Sequence, residues 1–175
     1  MWRYGILASV LILSVACGGS TSSPSGSSGG IGSSGSGGSG GSGSGKGTIT
    51  ALVDGVAYTG VINAATLTNG TLNIASNNTA LTLSVNFAMS GAAVGTTSIN
   101  AASPLVMQAM TTNGSTVTGA WSASVLGGSG TLTISTLSSS GASGTFSFVA
   151  VPSTTSGIPS AGTKTVTSGV FTATF

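Results

Sequence analysis

The sequence predicts an all-β domain over residues 47–175, an antiparallel β-sandwich or a flattened meander barrel of about 8–10 strands. Three observations point there. Apolar and polar residues alternate through much of this stretch, most clearly in Leu81-Thr82-Leu83-Ser84-Val85-Asn86-Phe87-Ala88-Met89. A strand with one buried and one wet face needs that period, because successive side chains point to opposite sides. The dipeptides Asp54-Gly55, Asn69-Gly70 and Asn113-Gly114 separate the alternating runs, and such pairs suit hairpin turns that need positive φ at both central residues. Finally, no window of comparable length carries a convincing 3.6-residue repeat. The best helical candidate, Ala101 to Met110, contains Pro104 and runs into Thr111-Thr112-Asn113-Gly114, which favours a strand.

Taken in order, the expected strands are Thr48–Val53, Val56–Ile62, Ala64–Thr68, Thr71–Ala75 and Leu81–Met89. Leu105–Thr111, Thr116–Val125, Gly130–Thr136, Gly144–Val151 and Thr165–Phe175 follow, set apart by Ser/Gly clusters. Leu81, Leu83, Val85, Phe87 and Met89 are expected on one face of their strand, and Phe146 and Phe148, two residues apart, share a face and read as core. Phe171 and Phe175 alternate in the same way.

Ahead of the domain the chain changes character twice. Arg3 gives a positive start, and Ile6 to Val15 is an apolar run of ten residues. That is half of the ~20 residues a transmembrane helix needs, and it is the length of a signal-peptide core. Residues 1–16 are therefore expected to be a signal peptide. Gly18 to Lys46 then spans 29 residues, of which 25 are Gly or Ser. This composition cannot build a core, and a coil of that length reaches roughly 30 Å. Residues 17–46 are read as an attachment point followed by a tether.

The attachment point rests on a resemblance. Leu13-Ser14-Val15-Ala16-Cys17-Gly18-Gly19 resembles the lipobox of bacterial lipoproteins, with Ser14 where Leu is commonest. The resemblance implies cleavage after Ala16, diacylglycerol on the Cys17 sulfur, and a further acyl chain on the new amine. Each buried CH₂ contributes about 0.8 kcal/mol, so two or three chains anchor durably where one does not. Gly18 in place of Asp implies export to the outer membrane in Gram-negative relatives. Cys17 is the only cysteine in the chain, and lipidation accounts for an odd thiol in an exported protein.

The domain also resembles a family of uncharacterised β-rich bacterial lipoproteins. The similarity lies in Asp54-Gly55-Val56-Ala57-Tyr58, Gly128-Ser129-Gly130-Thr131-Leu132-Thr133-Ile134, Ser143-Gly144-Thr145-Phe146-Ser147-Phe148 and Lys164-Thr165-Val166-Thr167-Ser168-Gly169-Val170-Phe171. It implies fold and location and carries no activity.

Composition argues against most chemistry. Asp54 is the sole acid; Arg3, Lys46 and Lys164 are the only bases; there is no His. Charged residues make up 2% of the chain, against about 25% in an average domain. Paired-carboxylate hydrolysis needs a second carboxylate, and metal sites need clustered His, Cys or carboxylates. No enzyme activity, cofactor or metal is expected. Nucleic acid is excluded as a partner because phosphate neutralisation takes several Lys or Arg. Gly40 to Gly47 imitates a phosphate-binding loop as far as Lys46, but Gly47 stands where Ser or Thr would hold Mg²⁺. No Ser-x-x-Lys spacing precedes Lys164, because Ala161 occupies the position. Lys164 is read as a solvated edge lysine and Asp54 as a turn residue accepting backbone hydrogen bonds.

Tyr58 and Trp121 are the domain's single Tyr and single Trp. They are the candidates for stacking on a sugar ring, with core or rim packing the preferred reading. The terminal Phe175 resembles the close of an outer-membrane barrel, but seven aromatics in the domain do not make girdles. The functional expectation is a lipid-anchored envelope or surface lipoprotein with a non-catalytic binding or structural domain, held to the membrane through Cys17 and meeting a protein or glycan partner. The alternative is an outer-membrane accessory domain that assembles with itself or with other proteins, since strands with little charge pair readily at their edges.

Overall fold

Period-two alternation becomes a single antiparallel sheet of ten strands. The computed structural model describes residues 46–154 and 157–175. The expected signal peptide, Cys17 and the tether up to residue 45 lie outside the described residues. The strands are β1 (Lys46–Val53), β2 (Val56–Thr68), β3 (Thr71–Asn78), β4 (Leu83–Ser90), β5 (Gly95–Ser98), β6 (Leu105–Asn113), β7 (Thr116–Ala123), β8 (Ser129–Ser138), β9 (Gly141–Pro152) and β10 (Lys164–Thr174).

The sheet closes on itself. β10 pairs with both β1 and β9, and the end of β9 pairs with β7. The circuit β1-β2-β3-β4-β6-β7-β9-β10 is therefore a barrel, which decides between the two expected architectures. β8 lies along β9 and carries the short β5 on its other side. Within the circuit, closure removes strand edges that would otherwise seek partners; β5, outside it, pairs on one side only.

Inward positions hold the core. Ile49, Leu72, Val85, Leu105, Met107, Leu132, Val166 and Phe171 are all fully buried. Phe87 meets Phe171 edge-on with ring centroids 5.0 Å apart, and its ring is 5.6 Å from that of Phe146. Offset and edge-on pairs of this kind add about 0.5–1.5 kcal/mol beyond the area they bury. Space for the rings comes from glycines. A Cβ on Gly144 would meet the Phe171 ring at 2.8 Å, and one on Gly169 would meet the Phe146 ring at 2.7 Å. These glycines are the cross-strand partners of the rings they admit.

Bulges set where each strand changes phase. On β2 the buried residues are Tyr58 and Ile62 and then Ala65, because Asn63 is an extra residue between Ile62 and Ala64. The sequence reading split this strand in two, at the point where the alternation slips; the chain in fact continues through a bulge. On β10 the shift falls between Val166 and Gly169, where Ser168 takes φ 53°. Two of the three expected hairpin turns have positive φ at both central residues: Asp54 at 50° with Gly55 at 79°, and Asn69 at 50° with Gly70 at 74°.

Two expectations are corrected. Leu81 does not join the face of Leu83, Val85, Phe87 and Met89. It takes φ 53°, is exposed, and sits in the turn before β4, where the Asn78 side chain accepts hydrogen bonds from Thr82 N and Leu83 N. β5 was not expected, because Gly95-Thr96-Thr97-Ser98 has no apolar residue to reveal a period.

Candidate functional site

Three places gather the polar groups of the domain. The first joins the residues singled out as titratable. The β1–β2 turn holds Asp54, and β10 begins at Lys164. β1 pairs with β10, so the two meet: Lys164 Nζ lies 2.6 Å from Asp54 Oδ2, and Thr165 N donates to Asp54 Oδ1 at 2.9 Å. The lysine hydrogen bond, then the Thr165 amide, hold the Asp54 carboxyl below its ordinary value. Lys164 also sits over the Trp121 ring, 5.0 Å from its centroid. A cation so placed is attracted by the ring face. Lys164 is therefore half-buried and paired, where the sequence reading had a solvated lysine at a strand edge. Trp121 is buried, and its Nε1 donates to Ala161 O at 3.3 Å. Ser160 Oγ accepts from Ala120 N at 2.8 Å. Trp121 and its neighbour thus fasten part of the β9–β10 connection.

The second place is inside the barrel. Tyr58 is buried, and its hydroxyl lies 2.9 Å from Ser76 Oγ. Ser76 is fully buried and donates to Val85 O at 2.7 Å. Because the serine proton is committed to Val85, Tyr58 is the donor to Ser76. Burial raises the Tyr58 pKa above its ordinary value, more than its own hydrogen bonds to the Ser76 side chain and the Val85 backbone lower it. Tyr58 and Trp121 both have their rings packed in the core. A sugar stacks on an exposed ring face, so stacking on either residue would require the barrel to open.

The third place is the outer face. Thr96, Thr133, Thr145, Val170, Thr50 and Thr59 are successive partners across β5, β8, β9, β10, β1 and β2. The next row runs Thr136, Ser143, Thr172, Thr48 and Val61. Hydroxyls join neighbouring strands, with Thr96 and Thr133 2.8 Å apart and Thr136 and Ser143 2.7 Å apart. A shallow open groove of about 430 Å³ crosses this face at β5, β8, β9 and β10. Ser98, Thr131, Ser147 and Thr167 line it with hydroxyls, and Val149 adds an apolar edge. A spanning barrel needs an apolar outer band; these outer rows are mostly hydroxyls, with Val61 and Val170 the exposed apolar members.

A family model described as "Domain of unknown function (DUF6252)" matches residues 45–174. The chain belongs to the DUF6252 family. The DUF6252 match covers all ten strands, and the similarity noted from the sequence to an uncharacterised family agrees with it. No curated protein and no solved structure matches the chain.

Sequence reasoning did not find the hydroxyl groove, the Ser76 relay or the Asp54–Lys164–Trp121 cluster. The groove is spread over four strands that are distant in the chain. A usable signal was present in the repeated Thr-x-Thr words Thr48-Ile49-Thr50 and Thr131-Leu132-Thr133, which place hydroxyls on one face.

Proposed function

We propose that this chain is a lipid-anchored envelope protein whose barrel is a non-catalytic binding or structural module, in which a neutral hydroxyl surface does the recognition. Anchoring is supported by Cys17, alone in the chain and placed between an apolar run and a Gly/Ser tether. The observation that carries the non-catalytic reading is the pairing of Asp54 with Lys164 at 2.6 Å. The sole carboxylate side chain is neutralised by one of the three bases, and no His exists to act as general base. What the outer face presents is hydroxyl and methyl groups, which suit a neutral, hydroxyl-rich glycan or an uncharged protein surface. Gly18 in place of Asp supports the outer membrane as the destination.

Two experiments test the two halves. Fractionation of cells expressing the chain should find it in the outer-membrane fraction, and Cys17→Ser should move it out of the membrane. Equal membrane retention of both refutes anchoring through this residue. A glycan array probed with the mature chain should give signals that fall when Thr131→Lys and Ser147→Lys place charge in the groove. Signals indifferent to both substitutions would show that the groove does not bind.

A further inference from the structure

The closed circuit leaves one strand with a single partner. Among the described residues every strand pairs with at least two others except β5, which pairs with β8 alone. Its remaining edge is defined by the phase of the ladder. Ile99 N donates to Gly130 O at 2.8 Å, next to the partners Ser98 and Thr131. Hydrogen-bonded and non-hydrogen-bonded pairs alternate in an antiparallel ladder. Gly95, Thr97 and Ile99 therefore turn their main-chain groups toward β8, while Thr96 and Ser98 turn theirs away from it.

Natural sheets guard such edges with lysine, proline or an inward charge. β5 has none of these. It reads Gly-Thr-Thr-Ser, three of its four residues are exposed, and Val94 just before it is 64% exposed. An uncharged edge with small side chains neither repels nor obstructs an approaching strand.

We infer that β5 is a self-association edge, and that its occupant is β5 of a second copy, paired antiparallel about a two-fold axis through Thr97. The hydrogen-bond phase makes this pairing self-complementary. With Thr97 opposite Thr97, Thr96 of each copy faces Ser98 of the other. The outward N–H and C=O of both residues are then satisfied in both copies, which is the isologous arrangement a closed dimer requires. The hydroxyl row beginning at Thr96 runs on into the second barrel. Pairing through main-chain groups is a recurring way for edge strands to bind. Four residues a side fall well short of the ~800 Å² per partner of a standard interface, so the dimer is weak and depends on concentration. The inference does not depend on lipidation.

The test uses the full mature chain from Gly18, without lipid. Sedimentation should show a monomer at low micromolar concentration and a growing dimer toward millimolar. Hydrogen exchange followed residue by residue should show Thr96 and Ser98 amides becoming protected over the same range, with the other β5 amides unchanged. Thr96→Pro and Ser98→Pro each delete one outward N–H and no β8 bond, and proline is accepted on edge strands. Both should abolish the dimer with Trp121 fluorescence unaltered, whereas Thr96→Val, which keeps the amide, should dimerise as the parent does. A monomer at millimolar concentration overturns the inference. So does a dimer that forms without protecting Thr96 and Ser98, a readout that stands even if a proline variant does not fold.

Discussion

Removing the Ser76 hydroxyl probes the barrel's interior most sharply. The side chain is fully buried; it accepts from Tyr58 and donates to Val85 O, linking β2, β3 and β4. Ser76→Ala removes the side-chain partner of the Tyr58 hydroxyl inside the barrel, and an unsatisfied buried polar group costs about 1–3 kcal/mol. Tyr58→Phe removes the donor instead. Ser76 keeps its bond to Val85, so the loss is one net hydrogen bond, about 1 kcal/mol. In the double variant no orphan hydroxyl remains, and the cost should fall below the sum of the singles by about 1 kcal/mol. Urea unfolding of the mature chain, followed by the fluorescence of its single tryptophan, measures all three. The midpoints should move with an unchanged denaturant slope. Additive singles, or a Ser76→Ala cost under about 0.5 kcal/mol, would refute the relay. The same tyrosine gives an independent readout, because burial raises its pKa above 10.0. The folded state therefore binds this proton more tightly than the unfolded one. Stability from this group is complete below the unfolded value and is lost as pH rises through the folded one. Phenolate absorbance should appear together with unfolding, and phenolate formation in a chain that stays folded near pH 10 would contradict the burial.

Gly144→Ala should destabilise the barrel by about 3 kcal/mol, because the added methyl group would run into the Thr133 carbonyl oxygen across the β8–β9 ladder as well as the Phe171 ring; thermal unfolding reads it. Asp54→Asn should cost less than about 1 kcal/mol, since the exposed ion pair is screened while the amide can still accept from Thr165. The Asp54 carboxyl is held below 3.8, so its stabilisation is present above that value and is lost as pH falls through the folded one. With no His and one acidic side chain, urea midpoints should stay nearly flat from about pH 5 to 9, and a step in that range would oppose this. Leu81→Asn should stabilise by about 1 kcal/mol, because Leu81 holds φ 53° while exposed and Asn tolerates that region; an unchanged midpoint would count against the strain.

Nearly all the strands were legible because burial on one face imposes a period that the residues display, as in Leu83 to Met89. Asp54-Gly55 and Asn69-Gly70 were legible for a different reason: few other pairs accept positive φ twice. Bulges defeated the same logic. The slip at Asn63 looks like a strand break in one dimension, and only the continuous pairing of β2 with β3 distinguishes the two. β5 escaped because it has no apolar residue to contrast with a polar one. Barrel closure depends on β9 meeting β10 and β7, a non-local choice that no local pattern encodes. The same holds for the polar clusters. Lys164 and Asp54 are 110 positions apart, so a sequence reading could name each but not join them. For Tyr58 and Trp121, core packing was the preferred reading because aromatics dominate β cores, and both rings are in the core.

The proposed anchoring makes hydrocarbon on Cys17 the group that would hold this barrel at a membrane. Intact mass spectrometry of protein purified from its native envelope tests it directly. The expected mass is that of a chain beginning at Cys17 with diacylglycerol on its sulfur. A free thiol at Cys17, or a chain that still begins at Met1, would contradict it.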